Sequence, residues 1–447
     1  MKRAILISCY YPPDGGVGVQ RVLKLVEHAP RCDWDLTIVT RHPPTRRTTW
    51  EPADETLSNE NEAGRVIRVP MAEGSSAGEM VPGQAGAKDS FLSGVIDAVK
   101  EQLCQGSFDA VILTMPPYGM SPIVPAIREI SDVPIFVDLR DPWALDGACS
   151  YSSKAQWSTN NQWMQEVLGI ADGVIANTPE AGVQLARAVS GLSADDVAVV
   201  NNGCAISAFQ GALPPRPRVM EDDRLNIVHT GTLHSHAFVR TRGFIGQLRK
   251  LKNYRVENIS ISGRTAYHLL RAMTLLEREQ PDVMEGVRLT LVGVEDDATR
   301  EIVDASPCRD RVRLTGFVPY QESIAWIRHA DALFVSLFGL PKGHRSRIIP
   351  YKIYEYLASG RPILGALPEG DARDLVEKSD RGQCADPCDD RALSQALRAV
   401  IEQARSMGRE TPPVQPFVHE YDWTRQCERF FEFLNRQIER AASSQSA

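Results

Sequence analysis

The chain lacks what would tie it to a membrane interior, a disulfide scaffold or a nucleic acid. None of its apolar runs reaches the ~18 residues that a transmembrane helix needs. The opening MKRAILISCYYPP sets basic residues before an apolar run, as a signal peptide does. That run is short and stops at Tyr11-Pro12-Pro13, so a buried first strand is expected instead. Positive charge is not in excess. A net charge of −7 excludes a nucleic-acid binder working through a global positive field and leaves only a local basic groove open. The cysteines (Cys9, Cys32, Cys104, Cys149, Cys204, Cys308, Cys384, Cys388 and Cys427) are odd in number and widely spread, which is no disulfide framework. Only Cys384 and Cys388 are close. Their CADPC segment has no second pair and no nearby histidine, so free thiols are expected and no metal. No repeat of solenoid period is present. A cytoplasmic protein is expected, with a peripheral place at the inner face of a membrane left open.

What remains is ordinary globular composition, 43% hydrophobic and 24% charged, in a chain too long for one core. Short apolar runs recur: AILIS (4–8), DLTIVT (35–40), DAVILT (109–114), PIFVDL (134–139), DGVIANT (172–178) and VAVVNNG (197–203). They are continuously apolar rather than alternating, as strands of a parallel sheet covered on both faces are. Amphipathic stretches such as 17–28 and 162–168 lie between them, the order of a doubly wound α/β domain. The proline- and charge-rich segment 210–225 reads as a linker. A second series follows: LNIVHT (225–230), VRLTLVG (287–293), RVRLTG (311–316), DALFVSL (331–337) and PILGA (362–366). An amphipathic tail at 422–441 reads as a closing helix. The small, polar segment 72–90 reads as a mobile loop, and 234–262 as a basic insertion.

Chemistry concentrates at strand ends. YYPPDGGVGVQRVLKL (10–25) follows the first strand and opens a helix, where Gly15, Gly16 and Gly18 allow a close ligand approach. A nicotinamide fingerprint would need a third glycine where Arg21 stands, and an acid where Thr40-Arg41 ends the second strand. A flexible turn explains the segment equally well. VDLRDPWALD (137–146) brings Arg140, Asp141 and Trp143 to a strand end, where open α/β sheets bind ligands; an Arg–Asp pair capping a loop is the alternative. HTGTL (229–233) puts Gly231 and Thr232 after the first strand of the second series. Arg264 in SGRTAYHLLRAMTLLE (262–277) is expected beside a helix N-terminus, where a cation opposes the dipole unless an anion is bound. In RIIPYKIYEYLASGRPIL (347–364), Pro350 suits a first helical turn and Gly360 a C-terminal stop. Lys352, Glu355, Tyr356 and Ser359 then share one face. If solvated, that face carries an ion pair of only ~0.3–0.5 kcal/mol. If not, Lys352 and the helix amides meet a diphosphate and Glu355 accepts from vicinal hydroxyls.

Taken in order, YYPPDGGVGVQR, VDLRDPW, ADGVIANTPE, VVNNG, HTGT, LTGFVP and PYKIYEYLASGRPIL resemble the family 4 glycosyltransferases of GT-B fold, over nearly the whole chain. The resemblance implies an α/β protein of two Rossmann-like doubly wound domains facing a central cleft. An acceptor-side domain would span 1–210 and a donor domain 225–415. The segment 416–447 would form a helix returning toward the first domain, with a frayed tail. It implies a retaining, metal-independent transfer of a sugar from a nucleotide-diphosphate sugar to an acceptor hydroxyl, with no cofactor.

By the same resemblance, Arg264, Lys352 and Asp141 are the catalytic candidates. Gly15, Gly16, Gly231, Thr232, Val318, Arg347, Ile349 and Glu355 would bind the donor, and Arg21, Arg140 and Trp143 would lie on the acceptor side. Glu355 matches the second glutamate of the family's pair, which binds the donor ribose. Arg347 stands where the first would be, so it or Arg345 would face the diphosphate or an acidic sugar. Arg240 and Arg242 compete with Arg264 for the diphosphate. The rival expectations are a sugar-nucleotide epimerase of the same fold and a catalytically degenerate scaffold. The donor base and sugar, the acceptor and the oligomeric state are not legible.

Overall fold

The structure is a computed structural model that describes residues 1–44, 57, 65–71, 90–220, 224–242, 253–408 and 412–445. The loop expected at 72–90 lies outside these residues except for its last position, and so does the middle of the insertion at 234–262.

The chain forms two compact units. The first comprises Met1–Asn202 and Trp423–Ala447. Its strands are β1 (Lys2–Ile7), β2 (Trp34–Arg41), β3 (Arg65–Val69), β4 (Ala110–Met115), β5 (Ile135–Leu139), β6 (Gly173–Ala176) and β7 (Val197–Val199). They pair in the order β3-β2-β1-β4-β5-β6-β7, and every pairing is parallel. The order reverses between β1 and β4, the switch point at which such sheets open a crevice beyond their carboxyl ends. The helix Val17–His28 follows β1, as its amphipathic spacing predicts. The helix Trp423–Gln445 closes this unit. Phe431 stacks on Trp34 with centroids 5.7 Å apart, and Phe433 meets Phe136 edge-on at 6.2 Å. Phe430 and Leu434 are buried beside them, each such side chain contributing about 1.5–3 kcal/mol by burial.

The second unit comprises Gly203–Asp422. Its strands are β8 (Leu225–Thr230), β9 (Val287–Val292), β10 (Val312–Leu314), β11 (Ala332–Ser336), β12 (Ile363–Ala366) and β13 (Gly382–Ala385). They pair in the order β10-β9-β8-β11-β12-β13, again all parallel, with the switch point between β8 and β11. One apolar layer, with Leu269, Met273, Leu397 and Ile401, covers one face; another, with Trp326, Ile353, Tyr354 and Leu357, covers the other.

Two expectations change. The stretch around 210–225 lies within the second unit, where Phe209 and Met220 enter the core and Arg328 donates to the carbonyls of Ala208 (3.2 Å) and Gly211 (2.8 Å). The helix expected to start at Gly263-Arg264 begins instead at Tyr267, after a 3-10 turn over Ile261–Arg264.

Candidate functional site

The chemistry that the sequence points to gathers beyond the carboxyl end of β8. Thr230 ends this strand and Gly231 turns the chain with φ +92°, a conformation open mainly to glycine. A Cβ at Gly231 would stand 3.3 Å from both Cε and Nζ of Lys352, so the missing side chain makes room for the lysine. The amide of Gly231 donates to Val292 at 2.7 Å, and Gly293 packs back on the Gly231 carbonyl.

Lys352 opens the helix Lys352–Ser359, which Gly360 ends in the left-handed conformation with φ +67°. Every residue from Ile353 to Ser359 is buried, so the face carrying Glu355 is not a solvated one. The helix is tied to β8 through Tyr356, whose hydroxyl receives the Thr230 amide at 2.8 Å and lies 3.2 Å from the Thr230 hydroxyl.

The electrostatics are unusual. Burial and the nearby Arg264 guanidinium push the Lys352 ammonium down to about 8, against the favourable charge of Glu355. Burial pushes the Glu355 carboxyl up to about 7, against a hydrogen bond from Tyr320 and the charge of Lys352. One oxygen of Glu355, Oε1, is buried and has no hydrogen-bond partner among the described residues. Buried carboxylate oxygens are nearly always paired, so an unpaired one points to a missing donor. His229 and His234 are both pushed down to about 3, by burial and by Lys352 and Arg264. They are neutral at working pH and leave the positive charge to Lys352 and Arg264. Nδ1 of His229 donates to the Phe334 carbonyl at 2.9 Å, which fixes the tautomer. Arg264 sits at the end of its 3-10 turn, where its carbonyl accepts from the His234 amide at 3.1 Å.

The structure therefore brings together Gly231, Arg264, Lys352 and Glu355 from the expected set. Thr232 follows in the same loop. Val318 is half-buried against the core, and the Ile349 side chain is inside it, which leaves their backbones as the groups able to meet a ligand. Sequence reasoning missed His229, His234 and Tyr320.

Several expectations are corrected. Arg21 is buried, not on the acceptor side: its guanidinium pairs with Asp138 at 2.7 Å and donates to the carbonyls of Val200 (3.1 Å) and Asn201 (3.2 Å). Trp143 is wholly buried, stacked on Tyr118 at 5.2 Å with Nε1 donating to Asn160 at 3.3 Å. It holds φ +52°, a strained conformation for a bulky residue, steadied by its amide donating to the Tyr118 hydroxyl at 3.1 Å. Arg140 turns its guanidinium to the carbonyls of Met115 and Pro116, over the space left by Gly18. Arg347 meets Glu257 at 2.8 Å, so its charge is answered by a buried acid rather than presented to an anion. Arg345 pairs with Asp374.

Asp141 is half-buried after β5, its carbonyl accepting from Tyr118 at 3.1 Å. Gly16 caps the helix Val17–His28 with φ +95°, and nothing would meet a Cβ there. The Gly15-Gly16 turn is braced by a buried pair, Arg41 to Asp14 at 3.2 Å, and Arg41 is the residue that displaced a nicotinamide acid. Arg240 and Arg242 lie in the helix Ser235–Arg242, but their side chains fall outside the described residues. Among the described residues no helix is long and apolar enough to cross a membrane.

Comparison with known proteins bears on the family and the fold. Residues 15–203 match the family described as "Glycosyl transferase 4-like domain", and residues 258–403 match "Glycosyl transferases group 1". No curated protein matches the sequence. Among solved structures, sucrose-phosphate synthase from Thermosynechococcus elongatus is similar with a TM-score of 0.58 at 16% identity, covering 98% of this chain and 95% of that one. A putative UDP-N-acetylglucosamine 2-epimerase from Listeria monocytogenes gives 0.57 at 12%, covering 98% of both. An E. coli structure described as "Trehalose-6-phosphate from E. coli bound with UDP-2-fluoro glucose" gives 0.57 at 12%, covering 99% of this chain and 98% of that one. At such identities these likenesses establish the fold, two Rossmann-like domains of GT-B type.

Proposed function

The chain belongs to the glycosyltransferases that join a 4-like N-terminal domain to a group 1 C-terminal domain, and from that premise we propose a retaining, metal-independent transfer from a nucleotide-diphosphate sugar to an acceptor hydroxyl. One observation carries this reading: Lys352 and Arg264 stand beside the glycine turn of Gly231 with both neighbouring histidines neutral. Two mutually repelling cations in a poorly solvated site ask for an anion, and a diphosphate supplies one.

Glu355 fits the ribose. Its unpartnered Oε1 would accept from a ribose hydroxyl, while Tyr320 holds the carboxylate. As the bond to the leaving diphosphate stretches, charge grows on its oxygens, and Lys352 and Arg264 stabilise it without reorganising. The acceptor hydroxyl would attack from the same side, passing its proton to a donor phosphate oxygen. The enzyme would be cytoplasmic. A glycan, a lipid-linked intermediate or a natural product would carry the acceptor hydroxyl.

The test is titration with UDP-, GDP- and dTDP-sugars of wild type and Glu355→Ala, followed by ligand-observed NMR. One base series should bind, and the variant should lose ~10- to 100-fold in affinity, the worth of one hydrogen bond to a charged group. Folded protein that binds none of them would refute the reading in favour of a degenerate scaffold. Donor consumption without an acceptor would favour an epimerase.

A further inference from the structure

A second reactive cluster lies in the same unit and has no part in the mechanism above. Cys388 sits between β13 and the helix Asp390–Met407. Its Sγ is 3.8 Å from the Ser262 hydroxyl, which lies 2.9 Å from Nε2 of His268. Nδ1 of His268 is 2.6 Å from a carboxylate oxygen of Asp390, whose other oxygen meets Arg271. Thiol, imidazole and carboxylate thus stand in the order that activates a nucleophile, the base oriented by a third group.

The cluster differs from the other thiols. Burial pushes Cys32, Cys204, Cys308, Cys384 and Cys427 up. Burial acts the same way on Cys388, but hydrogen bonds with His268 and Ser260 outweigh it and hold the thiol below its ordinary value. Burial would lower His268, yet its contacts with Cys388 and Asp390 raise it. Cys388 is half-buried, unlike the fully buried Cys9, Cys204, Cys308 and Cys427.

We propose that Cys388 is a modification site for peroxides, with His268 as its proton partner and Asp390 as the group that orients His268. The thiolate sulfur attacks one peroxide oxygen and the O–O bond breaks. The sulfur loses two electrons and becomes a sulfenic acid, and the departing hydroxide takes the imidazolium proton of His268 and leaves as water.

The added oxygen has consequences for the fold. A Cβ on Gly339 would come within 2.6 Å of Sγ and 3.3 Å of the Ser260 Cβ, so the sulfur already fills the space beside Gly339. Ser260 and Gly339 form an isolated antiparallel bridge, with N–O distances of 2.8 and 2.9 Å. Ser260 in turn leads directly into the 3-10 turn Ile261–Arg264. A larger, polar sulfur group strains that bridge and loosens the turn.

The experiment treats the folded full chain with hydrogen peroxide and dimedone and follows each cysteine by mass spectrometry. Exposed Cys104 is the internal reference. Cys388 should be labelled faster than Cys104, since a thiol held below its ordinary value carries a larger thiolate fraction near neutrality. His268→Gln should cancel that advantage and leave Cys104 unchanged. If that variant does not fold, Asp390→Asn should slow Cys388 in the same direction. Hydrogen exchange at the Ser260 and Gly339 amides should rise on oxidation, a readout independent of any sugar donor. Labelling led by Cys104, a Cys388 rate indifferent to both variants, or unchanged exchange at the bridge would overturn the proposal.

Discussion

Donor binding should follow a bell-shaped pH profile whose two limbs belong to residues three positions apart on one helix. The upper limb is Lys352. With its ammonium at about 8 in the free protein, it is ~90% protonated at pH 7 and ~10% protonated at pH 9. A bound diphosphate adds negative charge beside Nζ and keeps the lysine protonated, so binding at higher pH must include proton uptake. Affinity should then fall ~10-fold between pH 7 and 9 and ~90-fold by pH 10. The lower limb is Glu355. Its carboxyl, at about 7 in the free protein, must lose its proton before it can accept from a hydroxyl on both oxygens. Affinity should rise ~50-fold from pH 5 to 7. His229 and His234, held at about 3, add no step within this window.

The assay is isothermal titration calorimetry with the intact preferred nucleotide-sugar, whose esterified diphosphate stays ionised throughout, from pH 5 to 10, in buffers of differing ionisation enthalpy. Proton uptake should appear above pH 8 and proton release below pH 7. Lys352→Arg should flatten the upper limb, because a guanidinium stays charged throughout. Glu355→Gln should flatten the lower one. A wild-type profile flat from pH 6 to 10, or limbs that survive in their own variants, would refute the assignment of these residues to the donor.

Two further outcomes are expected. Gly231→Ala should cost about 1–2 kcal/mol in thermal or denaturant unfolding, because φ +92° is unfavourable for alanine. It should also weaken diphosphate binding, since its methyl would stand 3.3 Å from the Lys352 Nζ; unchanged binding would detach the glycine turn from the anion site. Arg21→Met should destabilise the protein by about 3–5 kcal/mol, leaving Asp138 as an unanswered buried charge, and the double change Arg21→Met with Asp138→Leu should recover much of that loss in denaturant unfolding. A single variant as stable as wild type would mean that Asp138 is solvated in solution.

The sequence reveals most strands as apolar runs, including the edge strands β7 and β10, but misses the other two edges. β1, β2, β4, β5, β8, β9 and β11 are continuous apolar runs and stand out at once. β3 (RVIRV) and β13 (GQCA) are the outermost strands of their sheets and carry too little apolar signal to be noticed. The site shows the same division. Gly231, Lys352 and Glu355 lie at a strand end or a helix start, where local spacing is informative, while Arg264 sits in a 3-10 turn ahead of its helix. Tyr320, His229 and His234 matter only because tertiary packing brings them to Glu355 or Lys352. Trp143 misled because an indole near a strand end suggests function, and Arg21 because the family resemblance set it on the acceptor side, while their actual partners, Tyr118 and Asp138, are fixed by packing. The aspartate inside IFVDL was the available clue, since a carboxylate within an apolar strand requires a cation.

The helix Lys352–Ser359 holds its charges for a ligand rather than for itself, on the proposed reading. In a solvated setting Lys352 and Glu355 would form a weak surface pair with ordinary proton affinities. Here burial moves both toward neutrality from opposite sides, to about 8 and about 7, and one glutamate oxygen stays without a donor. A purely structural pair would satisfy itself, as Arg21–Asp138 does at 2.7 Å and Arg347–Glu257 at 2.8 Å. The helix instead keeps an ammonium pushed against a guanidinium and a carboxylate half-satisfied, both of them unfavourable by themselves. An anion between Lys352 and Arg264 relieves the first and a hydroxyl at Glu355 Oε1 relieves the second. A molecule presenting both groups, with a spacing set by the helix start, would gain from each relief, which is why the proposed ligand is a nucleoside diphosphate rather than phosphate or a free sugar alone.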